Sequence, residues 1–133
     1  MISPENLDEI EELLDEILEL SEEGVPILVE GEKDSKSLRE LGIAGPIYQI
    51  SSDKKTALNF LEGLSGHARV VILTDFDRAG DELAQFSAKQ LQSLDVEAVT
   101  EPRRRLKSLV RKFVKDVEGL SGFLRGQRAA LNR

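Results

Sequence analysis

The sequence predicts an α/β fold, an open parallel sheet with helices on both faces, and three observations lead there. Beyond residue 24, short apolar runs alternate with amphipathic segments of helical period. The runs are continuous in Val, Ile and Leu rather than alternating with polar residues, the pattern of strands buried on both faces. At 133 residues, with 40% apolar and 32% charged side chains, the chain suits one domain. A domain of this size buries roughly two-thirds of the surface its unfolded chain exposes, enough for a core without covalent staples.

The elements follow in order. Ser3-Pro4 reads as an N-cap with proline at the first helical position, and Glu5, Asp8 and Glu9 sit where the helix dipole favours acids. Leu7, Ile10, Leu13, Leu14, Ile17 and Leu18 form one apolar stripe, and Gly24 is a suitable terminator. Val25–Val29 reads as a strand, Ser35–Leu41 as a helix, Pro46–Ile50 as a strand and Lys54–Leu64 as a helix. Arg69–Leu73 is a third strand, Arg78–Leu94 a long helix and Val96–Val99 a short fourth strand. Two helices finish the chain, at about residues 102–117 and 120–130. Leu106, Leu109, Val110, Phe113, Val114 and Val117 would line the apolar face of the first, while Gly119 and Ser121-Gly122 mark the bend between them. The expected organisation is a single domain over 1–133: an acidic N-terminal helix (1–23), an α/β core (25–100) and basic C-terminal helices (101–133).

Composition excludes several chemistries. With no cysteine there is no disulfide, thiol nucleophile or cysteine-built zinc site, and the single histidine, His67, rules out a polyhistidine centre. The apolar runs are too short for a membrane span, and the acidic N-terminus does not resemble a signal peptide, so a cytoplasmic protein without membrane association is expected. The net charge of −7 conceals a gradient: residues 1–23 carry 10 acids and no bases, whereas residues 101–133 carry 3 acids and 10 bases. A nucleic-acid surface and a simple pairing of oppositely charged terminal helices both account for it.

Two strands run into acids. The first leads to Glu30-Gly31-Glu32-Lys33-Asp34, the third through Thr74 to Asp75-Phe76-Asp77-Arg78-Ala79-Gly80-Asp81. Ligands of open parallel sheets sit outside the carboxyl ends of the strands, at the point where the strand order reverses. With the order 2-1-3-4, that point lies between strands one and three, and Glu30, Asp75 and Asp77 converge on it. Carboxylates brought together repel one another, so one takes up a proton or a cation settles the conflict. An all-oxygen donor set selects Mg²⁺ or Mn²⁺ over zinc. Asp34 or Ser35 also suits the N-cap of the following helix, and Asp77 that of the helix beginning near Arg78. For Glu30, directly after a buried strand, that alternative is weaker, because a cap does not require a charged residue there. Gly31 and Gly80 would let backbone approach a ligand closely.

Together, VEGEKD at 29–34 and TDFDRAGDE at 74–82 resemble the Toprim domain, shared by topoisomerases, bacterial-type primases, OLD-type nucleases and ribosomal RNA maturation nucleases. The resemblance spans about residues 25–100. Its first motif is most similar to the primase and maturation-nuclease branch, and the size is similar to the stand-alone small Toprim proteins of archaea. Phe76 stands where proline is common. The resemblance implies a Rossmann-like fold and a Mg²⁺ centre (Mn²⁺ as alternative) for phosphodiester chemistry. Glu30 would be general acid/base or share the metal, Asp75 and Asp77 would hold it, and Asp34 and Asp81 would be further acids of the metal site. A bound cation would stabilise charge on a scissile phosphate.

A topoisomerase needs a nucleophilic tyrosine, and the only one, Tyr48, falls in a strand expected to be buried; a primase needs a larger body and usually a zinc module. What the resemblance leaves is a nuclease acting on RNA or DNA, or a non-catalytic nucleic-acid-binding module working with a protein partner. A phosphatase or phosphoacceptor using D-x-D is a third class, but the haloacid-dehalogenase design usually places its nucleophilic aspartate after strand one and receivers use a lysine after a late strand, whereas here strand one delivers Glu30 and the D-x-D follows strand three. For phosphate contacts the candidates are Lys54 and Lys55 at a helix start, Arg78 beside the D-x-D, and Arg103, Arg104, Arg105 and Lys107, a run continued by Arg111, Lys112 and Lys115. With a cation bound and this basic arm beside the crevice, the local field favours phosphate although the whole chain repels it.

Overall fold

The computed structural model describes residues 1–133. Its elements are α1 (Pro4–Glu22), β1 (Ile27–Val29), α2 (Glu32–Glu40), β2 (Ile47–Gln49), α3 (Lys54–Glu62), β3 (Arg69–Ile72), α4 (Arg78–Ser93), β4 (Glu97–Val99), α5 (Glu101–Val110) and α6 (Leu120–Ala130). All four strands are parallel in the order β2-β1-β3-β4, with Ile27 opposite both Ile47 and Val71, and Val71 opposite Val99. The order reverses direction between β1 and β3.

Strand residues alternate between two cores, which is why the central runs are apolar throughout. Ile27, Val29, Val71 and Leu73 face Leu7, Ile10, Leu13 and Ile17 of α1, Leu38 of α2, Leu106 and Val110 of α5, and Leu120 and Leu124 of α6. Leu28, Val70 and Ile72 face Ala57 and Leu61 of α3 and Leu83, Ala84 and Leu91 of α4. Truncating one of these fully buried leucines to alanine costs about 2–5 kcal/mol.

Local signals set the boundaries. The Ser3 hydroxyl caps α1 by accepting from the Asn6 N–H at 3.1 Å, and Gly24 ends the helix at φ +86°, a conformation other L residues avoid. Helix α2 begins three residues earlier than expected: Gly31 is its N-cap, and Asp34, at the third helical position, accepts from the Gly31 N–H at 3.0 Å.

Three expectations need correction. Helix α5 stops at Val110 rather than near 117, and residues 111–119 form turns that dock on the loop after β3 through a Phe76 N–H to Lys115 carbonyl bond of 2.8 Å. Val114 and Val117 remain in the core, but Phe113 faces out, 47% exposed. Tyr48 is not buried, because β2 is the sheet edge; it is 38% exposed and meets Phe60 edge-on.

Part of the charge gradient is internal. Arg128 of α6 holds Glu11 of α1 with bonds of 2.6 and 3.0 Å, and Arg133 pairs with Asp8 at 2.7 Å. Half-exposed pairs of this kind contribute about 0.2–1 kcal/mol each.

Candidate metal centre

The acids after β1 and β3 meet where the strand order reverses. Glu30 follows Val29 directly, and its Oε2 accepts the backbone N–H of Asp75 at 2.7 Å, bridging the carboxyl ends of the two central strands. Asp75 Oδ1 accepts the N–H of Val117 at 3.1 Å. Asp77 has non-helical backbone and caps α4, accepting the Gly80 N–H at 2.7 Å. The capping use that the sequence allowed for Asp77 is therefore real, and it places this carboxylate beside Glu30 and Asp75, both of which feel its charge.

Glu30, Asp34 and Asp75 line one shallow cleft of about 460 Å³ together with Gly31, Glu32, Lys33, Asp116 and Glu118, and no apolar residue. Burial pushes the Glu30 carboxyl up from its ordinary value; the Asp75 N–H opposes this, and the charges of Asp75, Asp77 and Asp34 add to it. Asp34 is pushed up to about 6, by burial first and by the Asp75 charge second, against the lowering effect of the Gly31 N–H. Burial likewise raises Asp75, with the charges of Asp116 and Asp77 adding to it and the Val117 N–H opposing. Three groups thus resist carrying full negative charge at once.

Asp116 is the acid that sequence reasoning missed. The apolar stripe through Val117 read as an uninterrupted helix, which would have turned Asp116 to solvent. The break after Val110 instead brings it into the cleft, where its Oδ1 also accepts the Gly119 N–H at 2.8 Å ahead of α6.

Gly80 is required by the backbone rather than by a ligand. A Cβ there would stand 1.9 Å from the Asp75 carbonyl oxygen, so only glycine lets the first turn of α4 pack under the D-x-D loop. The Thr74 hydroxyl donates to the Gly80 carbonyl at 2.7 Å and ties that turn to the end of β3.

Asp81 does not join the cleft. Partial burial opposes its ionisation, but bonds from Lys107 and Arg103 outweigh this and hold its carboxyl below the usual range. Both its oxygens face cations of α5, the arrangement of an ion-pair anchor and not of a metal ligand. Arg103 and Lys107 need the matching correction. The Arg103 side chain, 7% exposed, reaches inward: Nε donates to the Thr74 carbonyl at 3.0 Å, and Nη2 donates to the Asp75 carbonyl and to Asp81. It buttresses the motif loop from behind. Lys107 is three-quarters buried against Asp81, and Arg104 pairs with Glu101 on the surface. Arg105 is half-exposed, while Lys54, Lys55 and Arg78 lie at the surface. Lys54 shares a surface cleft with Ser52, Ala79 and Glu82, which puts it beside the start of α4. Arg78 makes only a loose 3.5 Å pair with Glu82.

The fold has counterparts among known proteins. The family profile of the Toprim domain matches residues 25–109. A UPF0292 protein of Methanosarcina barkeri is 41% identical over 115 residues, 86% of this chain and 79% of the relative. Two others, from Thermococcus onnurineus (36% identical, 89% of this chain and 85% of the relative) and Pyrococcus horikoshii (37%, 87% and 84%), are similar over nearly the same span. A solved structure of a protein from Aquifex aeolicus superposes with a TM-score of 0.63 at 26% identity, covering 81% of this chain and 94% of that one.

Proposed function

The chain belongs to the Toprim domain family, whose domains bind divalent metal ions and work on nucleic acids, and from that premise we propose that it is a Mg²⁺-dependent nuclease-like protein hydrolysing phosphodiester bonds. The observation that carries the proposal is the Glu30–Asp75 contact of 2.7 Å across β1 and β3, in a cleft lined only by polar groups.

The donor set fits a hard divalent cation. Every candidate ligand is a carboxylate, no histidine or cysteine is near, and the mutual repulsion that raises Glu30, Asp34 and Asp75 is what a cation would relieve. Asp75 and Asp77 would hold the ion with Glu30, and Asp34 and Asp116 would stand beside it. When bound, the ion would supply charge stabilisation at a phosphate oxygen. The remaining chemistry belongs to the chain. Glu30 keeps Oε2 on the Asp75 N–H and has Oε1 left to take a proton from an attacking water or return one to a leaving oxygen; its raised pKa suits both roles. Arg103 and Gly80 fix the backbone of Asp75 and so its aim. Lys54, Lys55 and Arg78 would draw phosphate toward the rim.

One observation favours a second reading, a non-catalytic nucleic-acid-binding module that works with a partner. Glu30, Asp75 and Asp77 each give one carboxylate oxygen to a backbone N–H, structural work that a module without turnover would need as well. Incubation with structured RNA, single-stranded DNA and nicked duplex, in Mg²⁺, Mn²⁺ or chelator, separates the two. Metal-dependent cleavage lost in Glu30→Gln and Asp75→Asn supports the nuclease. Cleavage surviving both substitutions overturns the centre, and salt-sensitive binding without cleavage supports the module.

A further inference from the structure

Phe113 is one of three large apolar side chains left exposed, with Met1 at the N-terminus and Tyr48 on the far sheet edge. Its ring is not loose, since it stacks on Phe123 of α6 with centroids 5.3 Å apart and planes 24° from parallel. Around it in sequence are Arg111, Lys112 and Lys115, all exposed and none within ion-pair distance of a carboxylate. The contrast with the preceding basic run matters. Arg103, Arg104 and Lys107 are committed to Asp81 and Glu101, leaving Arg105 as the one unpaired cation there, so three of the four unpaired cations of this run lie after the helix break.

The break also fixes where this patch lies. Lys115 takes the Phe76 N–H at 2.8 Å, Val117 donates to Asp75, and Asp116 lines the acidic cleft. Phe113 is two residues from Lys115, so their Cα atoms are at most about 7.6 Å apart. A held aromatic ring amid unpaired cations, beside a cleft suited to phosphodiester chemistry, matches the way proteins grip unpaired nucleotides: bases stack on rings while cations track phosphates.

Resting on the reading that this chain acts on nucleic acid, we propose that Arg111–Lys115 is its substrate-gripping segment, with Phe113 stacking on an unpaired base and Arg111, Lys112 and Lys115 meeting phosphates. The favoured substrate is therefore single-stranded or locally unpaired. Rigid duplex, whose bases are already stacked, gains nothing from Phe113. A protein partner would call for a wider apolar face than one ring rimmed by cations.

Fluorescence anisotropy with a labelled 12-nucleotide RNA, the DNA of the same sequence and its blunt duplex tests this, with Ca²⁺ present to neutralise the cleft. Single strands are expected to bind more tightly than duplex. Phe113→Ala and Phe113→Leu should weaken single-strand binding by about 5- to 100-fold and leave duplex binding nearly unchanged, while Phe113→Trp retains it. Neutralising Arg111, Lys112 and Lys115 together should reduce the slope of log K against log salt by about 2 for single strands. The leucine variant keeps an apolar side chain against Phe123, so the test stands even if the alanine variant misfolds. Unchanged single-strand binding in both Phe113→Leu and the triple variant overturns the inference while leaving the metal centre untouched. Absence of any nucleic-acid binding by the wild type overturns the functional reading as well.

Discussion

Replacing Arg103 by methionine distinguishes a structural buttress from a phosphate contact. The guanidinium serves three acceptors, the carbonyls of Thr74 and Asp75 and the carboxylate of Asp81, from a side chain only 7% exposed. Methionine fills similar space but leaves both carbonyls without this donor and Asp81 with Lys107 alone. A buried acceptor left without its donor costs about 1–3 kcal/mol, and the pair with Asp81, itself about a third exposed and still held by Lys107, adds little, so the two carbonyls bring the expected loss to about 3–4 kcal/mol. For a chain of this size, that lowers the melting temperature by about 10–15 °C. Urea unfolding followed by circular dichroism measures it, with Arg103→Lys as companion: lysine keeps the charge but not the fork that reaches three acceptors, so it should fall between. Metal affinity should drop too, because the Asp75 backbone loses its anchor. A stability change below about 1 kcal/mol, together with selective loss of nucleic-acid binding, would refute the buttress and return Arg103 to the surface role that its basic run suggests.

Other consequences can be measured on the same protein. Gly80→Ala should cost about 3 kcal/mol or more in urea unfolding, since its Cβ would stand 1.9 Å from the Asp75 carbonyl oxygen. Gly31→Ala should change stability by less than about 1 kcal/mol, because the nearest atom to its Cβ lies 3.7 Å away, its φ is an ordinary −150°, and the smaller entropy of the unfolded chain offsets the loss of a favoured N-cap residue. With chelator present, Asp34 makes the fold less stable as pH rises from 3.8 to about 6: there the folded chain still holds a proton that the unfolded chain has released. Discounted by about half for residual hydration, the penalty is about 1–2 kcal/mol and complete above that range, and Asp34→Asn should flatten the slope in denaturation curves taken across it. At neutral pH, Mg²⁺ at a hundred times its dissociation constant should stabilise the wild type by about 2.7 kcal/mol, and thermal melts of Glu30→Gln and Asp75→Asn should lack most of that gain.

What the sequence discloses, and what it does not, follows from how local each determinant is. The V/I/L runs, the Ser3-Pro4 start and the Gly24 stop act within a few residues, and each element built from them is found within about three residues of its expected place. The convergence of Glu30 with Asp75 was legible because strand order and the acids after β1 and β3 leave it little freedom. Asp116 was not, since nothing between Arg111 and Val117 is a helix breaker: the helix yields there to bonds made with Phe76 and Asp75, some forty positions earlier. The Arg103 anchor was hidden for a related reason. In a run of arginines, position alone cannot say which one points inward; that depends on the face of α5 that also carries Leu106 and Val110.

The Lys115–Phe76 and Val117–Asp75 bonds bear on when the cleft comes into being. Both acidic motifs are synthesised before the strap that closes them, and chains are made at about 5–20 residues per second. A nascent chain ending at Val99 holds the whole sheet and both motifs, yet lacks the Arg103 buttress, Asp116 and the Phe113 patch. The cleft is consequently completed after the sheet that carries it, and an unfinished copy carries the acids without the frame that aims them.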